Sequence, residues 1–482
     1  MIEGATVAFA CRPWPGNVNQ EVVQNGHELL ELTGLGERPG LGQADAQIDW
    51  LGTRPEQDAS ETETLATRWG GVDILVVDHY GIDSRWEKPV RSAFERIVVI
   101  DDLADRVHEC DVLTDPTPLS FAAERYSRCV DSGTRLLLGA RFALLRPDFA
   151  RRHADQVHRD GRIRRILVAF GGVDIEGYSL RAIGAVRQAL GPEIVIDVVV
   201  GSGCPHLGEL EKLAEHDRNL RMRTDCKDVG ALIASADLGV GAGGTMAWER
   251  ACLGLPAIVA PIAANQLQVT RALGLSLCAL EVPPGPSFGS AVVSVLATLA
   301  GQAALVCMLG ANAAQLVDGR GAVRLARRIL EAPIALRRAT LVDSMPIWEW
   351  RNDPDVRRVS RNTEEIQRDT HELWFRSALQ DPDVVILIAD SKGRPVAVLR
   401  FDIRGSTAEV SIYLTPGNQG RGFGATVLRQ CEQWLAMEKP KVKRLVAEVR
   451  TGNAASSGAF EAAGYCVDRL IYEREVGDGP GR

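Results

Sequence analysis

The stretch GAGGTMAWER, residues 241–250, decides how most of this chain is read. The preceding LIASADLGV reads as a short buried strand, and TMAWERACLGL has helical spacing and stops at Gly254–Leu255–Pro256. Strand, glycine turn and helix start together make an anion site. Backbone N–H groups point outward, the helix dipole favours negative charge, and glycine admits a phosphate at close range. The alternative is a plain tight turn. Glu249 is expected on the first turn of the helix, either as a favourable partner for the dipole or as an acceptor for both hydroxyls of a ribose. Asn265 and Gln266 follow PAIVAPIAA, at the carboxyl end of a strand, where ligands bind in open α/β sheets. The expected anion is the diphosphate of a nucleotide.

Outward from this turn, apolar runs alternate with helical patterns as far as residue 330. ATVAFACRP, VDILVVDHY, RIVVIDD, RILVAFGG, IVIDVVVG, ADLGVGAGG and PAIVAPI all read as buried parallel strands. A basic, polar run near residue 150 divides the series, giving two Rossmann-like lobes over residues 1–150 and 151–332. In the first lobe, Asp78, His79 and Tyr80 stand at a strand's carboxyl end. A histidine there is a candidate acid or base near neutral pH, with capping by Asp78 and packing by His79 as the alternative. Asp101 and Asp102 read as turn-capping residues in preference to a catalytic carboxylate pair.

The 482 residues exceed one ordinary core, so two or three domains are expected. A net charge of −8 without a basic block argues against nucleic acid as the main partner. No apolar run is long enough to span a membrane and no signal pattern opens the chain, so a cytoplasmic protein with no membrane partner is expected. The 10 cysteines are scattered without a C-x-x-C pair and no motif requires a metal. The oligomeric state is not legible.

Beyond EAPIALRRAT the pattern changes to helices followed by antiparallel strands, with a hairpin turn at Gly393, which marks an α+β domain over residues 337–475. In EVSIYLTPGNQGRGFGATVLRQ a strand runs into a loop, Gln419, Gly420, Arg421, Gly422, Phe423 and Gly424, that enters a helix. The spacing Q-x-x-G-x-G sets successive N–H groups around a pyrophosphate, and it is not the dinucleotide fingerprint. Downstream, Asn453 precedes a helix containing AFEAAGY. Here the sequence resembles the GNAT family of acetyl-CoA-dependent N-acetyltransferases. The resemblance implies that residues 419–424 and Asn453 help to bind acetyl-CoA, and that the backbone at Ile412, Tyr413 and Leu414 contacts the pantetheine arm. Many members carry a tyrosine acid where this chain has Phe460, which cannot donate a proton. Glu409 and Glu448 are candidates to relieve the acceptor ammonium of its proton, with solvated strand-edge carboxylates as the alternative. The entry segment WEWRNDPDVRR resembles the members that acetylate amino-sugar nucleotides or protein N-termini.

The blocks CRPWPGN, VVDHYGID, VIDDLADRVHECD, GARFALLRPDF, VAFGGVD and AGGTMAWERACLGLP…ANQ, in that order, resemble the two-lobed (GT-B-like) UDP-sugar hydrolases of pseudaminic acid synthesis. The resemblance implies that Gly243, Gly244 and Thr245 hold the diphosphate, Glu249 the ribose, and Asn265 the sugar side, with His79 and Tyr80 lining the cleft. It also implies an earlier strand and a G-x-G-H-x-x-R turn carrying a catalytic histidine. The first strand here corresponds to the family's second, and that turn is absent from the sequence. His27 lies in a loop entering the next strand and is rejected as a substitute. Either the true start lies upstream or hydrolysis has been lost. The expectation is a fusion of two enzymes of one pathway. One part acetylates a UDP-4-amino-sugar, and the other releases UDP from the diacetamido product. Three rivals are a non-catalytic UDP-sugar-binding scaffold beside the acetyltransferase, an acetyltransferase of protein N-termini, and a glycosyltransferase by fold analogy.

Overall fold

The computed structural model describes residues 5–14, 17–33, 51–119, 121–155, 158–330, 334–360, 362–391, 393–420, 422–450 and 452–468. The chain divides into two compact units, Met1–Ile329 and Leu330–Arg482.

The first unit is built on parallel strands. The first lobe holds β1 (Ala8–Cys11), β2 (Glu28–Glu31), β3 (Ile74–Val77), β4 (Arg96–Ile100), β5 (Val112–Asp115) and β6 (Arg135–Leu138). The second holds β7 (Arg165–Ala169), β8 (Val195–Val200), β9 (Leu220–Thr224), β10 (Leu238–Ala242), β11 (Ala257–Ala260) and β12 (Ala279–Glu281), in the order β12-β11-β10-β7-β8-β9. All these pairs are parallel. Helices cover both faces, which is why runs such as Ile166–Val168–Phe170 and Leu167–Ala169 are buried in two separate clusters, one on each side.

Among the described residues the first lobe does not form one sheet. Strands β3-β4-β5-β6 pair in sequence, whereas β1 and β2 pair only with each other. The sequence reading made β1 a buried strand, and the structure corrects this: Val7 and Phe9 are 51% and 40% exposed, and Val76 on β3 is 44% exposed. A parallel strand stays buried only when neighbours flank it and helices cover it. Among the described residues, one edge of β1 and one edge of β3 have no strand beside them.

Chain order does not decide which sheet a helix covers. Ala140, Ala143, Leu145 and Phe149 pack into the core of the second lobe. The helix Gly321–Leu330 returns to the first lobe, where Leu325 and Ile329 pack on Val98 and Val112. The two lobes also meet where Leu119 and Ala122 touch Ala272 on the helix Leu267–Leu275. A further correction concerns LIAS, expected as strand, which ends the helix Val229–Ser235. Asp228 caps that helix by accepting from Ala231 N. A short apolar run has no periodicity that separates a strand from a buried helical turn.

The second unit is a five-stranded sheet of β13 (Ala335–Arg338), β14 (Val384–Ser391), β15 (Arg394–Arg404), β16 (Thr407–Leu414) and β17 (Arg444–Val446), in sequence order. All pairs are antiparallel except β16–β17. Gly393, at φ +72°, closes the β14–β15 hairpin. Alternate residues of β14 serve opposite faces. Val385 and Leu387 pack under the helices Phe423–Glu438 and Ala454–Ala462. Ile386 and Ile388 pack under Ile347 and Phe375 from the helices Ser344–Asn352 and Arg368–Gln380.

Candidate functional site

In the second lobe the connections run from β7 outward to β8 and β9, then return to β10 and run the other way to β11 and β12. The carboxyl ends of β7 and β10 therefore flank the switch point where open α/β sheets bind ligands. Ala242 ends β10 there, and Gly244 caps the helix Thr245–Cys252 in extended conformation with no side chain capping it. Two other helices of this lobe start under a carboxylate, while those starting at Leu207, Leu267, Phe288 and Ala303 also lack a side-chain cap but are not entered through a glycine turn at the switch point. Asp174 accepts from Tyr178 N and Ser179 N at 2.9 and 2.8 Å, and Asp228 serves the helix after it. A carboxylate cap neutralises the positive end of a helix, and an uncapped glycine entry leaves it to a ligand.

Three side chains shape this turn. A Cβ on Gly243 would stand 2.0 Å from Thr270 Oγ1, so only glycine fits, and that hydroxyl is buried without a partner. Gln266 reaches Gly244 with its amide nitrogen, 3.7 Å from where a Cβ would be. Arg250 is 2% exposed and donates to the Ala242 carbonyl at 2.6 Å. Gly239 and Gly241 make room for it: a Cβ at either would come within 3 Å of its side chain. No carboxylate forms an ion pair with Arg250 among the described residues, and burial pushes its pKa down to about 10. A buried cation beneath outward amides reinforces the attraction for an anion. The sequence analysis missed Arg250 and Thr270. Glycines at alternate strand positions, 239 and 241, were the available signal for a bulky neighbour on one face.

Glu249 is corrected. It is the fifth residue of its helix, beyond the first turn, so the dipole reading fails. It is half-buried, and burial raises its pKa, a shift that Arg146 and Arg250 oppose. Thr245 is exposed at the helix start.

The first lobe brings its strand ends to the same place. Asp78, His79 and Tyr80 follow β3, and Asp78 is exposed. His79 Nδ1 accepts from Gly81 N at 3.0 Å, which assigns the ring proton to Nε2. A neutral ring in that tautomer has no free lone pair, so His79 is a hydrogen-bond donor and not the base suggested from sequence. Tyr80 donates from its hydroxyl to Asp102 Oδ1 at 2.9 Å, and the side chain of Asn265 from the second lobe lies near enough to act on the same hydroxyl. Burial foremost, and then the Asp102 charge, push the Tyr80 hydroxyl up to about 12. The neighbouring aspartates differ in role. Asp101 caps its turn, accepting from Ala104 N at 2.9 Å, as expected. Asp102 does not; its carboxylate faces Tyr80. Gly243, Gly244, Gln266, Asn265, Tyr80 and Asp102 thus form one continuous line across the two lobes.

In the second unit, β16 and β17 pair only over Thr407–Arg444, Ala408–Leu445 and Glu409–Val446. Residues 410–414 continue as strand with β15 on one side and, among the described residues, no strand on the other. Ile412 and Leu414 pack toward the Phe423–Glu438 helix and Tyr413 toward the opposite helices. The free edge therefore offers backbone. The following loop has left-handed glycines at 417, 420 and 422, with φ of +80°, +75° and +77°. Gly422 caps the Phe423–Glu438 helix without a side-chain bond, so the first amides of a four-turn helix stay open. Gln419 precedes this turn, and Arg421 lies outside the described residues. The Phe423 side chain is core, and a Cβ on Gly424 would stand 3.3 Å from Ala459, so this glycine also lets two helices pack closely. Asn453 caps the last helix, accepting from Ser456 N at 3.0 Å. Glu409 is half-buried and Glu448 exposed, both near the end of the β16–β17 pairing. Phe460 is buried against Tyr465, with ring centroids 5.0 Å apart.

Residues 334–465 match the model of the acetyltransferase (GNAT) domain family. The C-terminal unit carries a GNAT acetyltransferase domain. The chain is accordingly an enzyme with acetyltransferase chemistry. The chain is also similar to proteins named for sugar biosynthesis. One is the spore coat polysaccharide biosynthesis protein SpsG of Bacillus subtilis, 26% identical over 278 residues, 56% of this chain and 80% of that protein. Another is the UDP-2,4-diacetamido-2,4,6-trideoxy-beta-L-altropyranose hydrolase of Campylobacter jejuni, 26% identical over 164 residues, 33% of this chain and 56% of that protein. Among solved structures, MurG of Acinetobacter baumannii aligns with 68% of this chain and 91% of its own at 14% identity and a TM-score of 0.47.

Proposed function

We propose that this protein is a bifunctional nucleotide-sugar enzyme of pseudaminic acid synthesis. The GNAT domain acetylates the 4-amino group of a UDP-amino-sugar, and the N-terminal unit releases UDP from the diacetamido product by hydrolysis. The observation that carries the reading is the uncapped glycine turn at the switch point of the second lobe, facing Tyr80 of the first through Asn265. A diphosphate on the turn would leave the sugar beside Asn265 and Tyr80. Glu249, in the body of the same helix, accepts from the ribose hydroxyls.

For acetyl transfer, acetyl-CoA supplies the activated thioester carbonyl. The chain's own part is to hold and orient. The edge of β16 at Ile412, Tyr413 and Leu414 aligns the pantetheine arm, and the amides of residues 419–424 with Asn453 hold the diphosphate. Glu409 or Glu448 takes the proton that makes the acceptor amine a nucleophile. No metal enters either step. Ten free thiols suit a reducing, cytoplasmic setting. Consecutive steps on one chain raise the local concentration of the intermediate.

The split first lobe favours a second reading, in which the N-terminal unit binds the UDP-sugar without cleaving it. One experiment separates the two. Wild-type protein is given acetyl-CoA and the UDP-4-amino-sugar, and free CoA and free UDP are followed separately. Release of both in sequence is expected. CoA without UDP supports the scaffold, and neither product from the sugar rejects the substrate class.

A further inference from the structure

The cleft holds three carboxylates close together, and two of them are committed. Asp101 accepts from Ala104 N, has the Tyr126 hydroxyl oxygen 3.1 Å from its Oδ2 and lies 2.8 Å from an Arg106 guanidinium nitrogen. Asp115 accepts from Thr117 N, Tyr126 and, at 2.9 Å, Arg125. Asp102 is different. Arg125 donates to its backbone carbonyl and not to its carboxylate, and among the described residues no cation forms an ion pair with that carboxylate. Its Oδ1 accepts from Tyr80, whose hydroxyl also feels Asn265, the residue before the Gln266 that reaches the glycine turn.

Resting on the hydrolytic part of the proposed function, we infer that Asp102 is the general base of the interlobe cleft, oriented by Tyr80 and taking the proton of the attacking water. The balance is simple. The water oxygen bonds to the anomeric carbon of a uridine-diphosphate sugar and its proton passes to the Asp102 carboxylate. The bond from the anomeric carbon to phosphate oxygen breaks, and its electron pair leaves on the diphosphate held at the glycine turn. Asp102 then returns its proton to solvent.

The surroundings set the carboxylate for this task. Burial foremost, opposed by the Tyr80 hydrogen bond and reinforced by the charges of Asp101 and Asp115, pushes the Asp102 pKa up to about 6, while Arg125 pulls it down. Arg106 stands over the Tyr80 ring at 5.9 Å and is held by Asp101 and Asp105. A carboxylate in this range is ionised at neutral pH yet basic enough to take a proton. The role does not require the histidine that the related hydrolases are expected to use.

The test is Asp102→Asn in the full chain, with the UDP-diacetamido sugar as substrate. Asparagine keeps the acceptor for Tyr80 and loses the base. UDP release is expected to fall by about 100-fold or more, while calorimetric affinity for UDP stays close to wild type. The wild-type kcat/KM should rise with pH through a midpoint near 6, and this limb should vanish from the residual activity of the variant. Tyr80→Phe should lower kcat and leave the limb in place. An active wild type with an unimpaired Asp102→Asn, or with no limb near pH 6, overturns the inference alone. A wild type that releases no UDP overturns the hydrolytic reading and this inference together. If the variant fails to fold, the wild-type pH profile still decides.

Discussion

At Asp102 the burial that readies a carboxylate for proton transfer works against folding. Its pKa rises from an unfolded value near 3.9 to about 6. Between those values the folded chain binds more protons than the unfolded chain, so stability falls as pH rises. The contribution is fully present below pH 3.9 and is lost as pH passes through about 6. Asp102→Asn should therefore leave stability at pH 4 nearly unchanged and raise it at pH 8 by about 1–2 kcal/mol, allowing for partial exposure. Denaturant titrations at the two pH values check this, and a gain that is equal at both would exclude ionisation as its cause. The same residue shows the limit of sequence reading. Asp101 and Asp102 are chemically identical neighbours, and only the fold turns one to an amide and the other to Tyr80. His79 was legible as a cleft residue, but its tautomer follows from the Gly81 amide, a contact no sequence pattern announces.

Elements differ in how much neighbours hold them. β10 is flanked by β7 and β11 and buried along its length, whereas β1 pairs only with β2 and keeps Phe9 exposed. Two-stranded sheets are marginal on their own. Amide exchange should accordingly be slow over residues 238–242 and 257–260 and fast over residues 8–11 and 28–31. Equal protection of both sets would mean that β1 has gained a neighbour in solution. Parallel strands were readable from near-continuous apolar runs such as RILVA, and the β14–β15 hairpin from alternation around Gly393. The end of pairing between β16 and β17 after Glu409 was not derivable from composition, because where two strands diverge depends on what packs beneath them.

For the whole molecule, the division into Met1–Ile329 and Leu330–Arg482 assigns each half its own core. The Leu330–Arg482 unit expressed alone should fold and keep its affinity for acetyl-CoA, checked by circular dichroism and calorimetry. An unfolded product would show that its core depends on the other unit. The sequence by itself determined the α/β class, the change to α+β after residue 330, and the two glycine turns, because periodicity and glycine backbone freedom are local properties. Only the tertiary structure decided that the helix at 321–330 returns to the first lobe, that Arg250 lies buried beneath the turn, and that Tyr80 reaches Asn265. Those facts depend on which distant surfaces meet, and residues 80, 102 and 265 become neighbours only once burial of apolar faces has brought the lobes together.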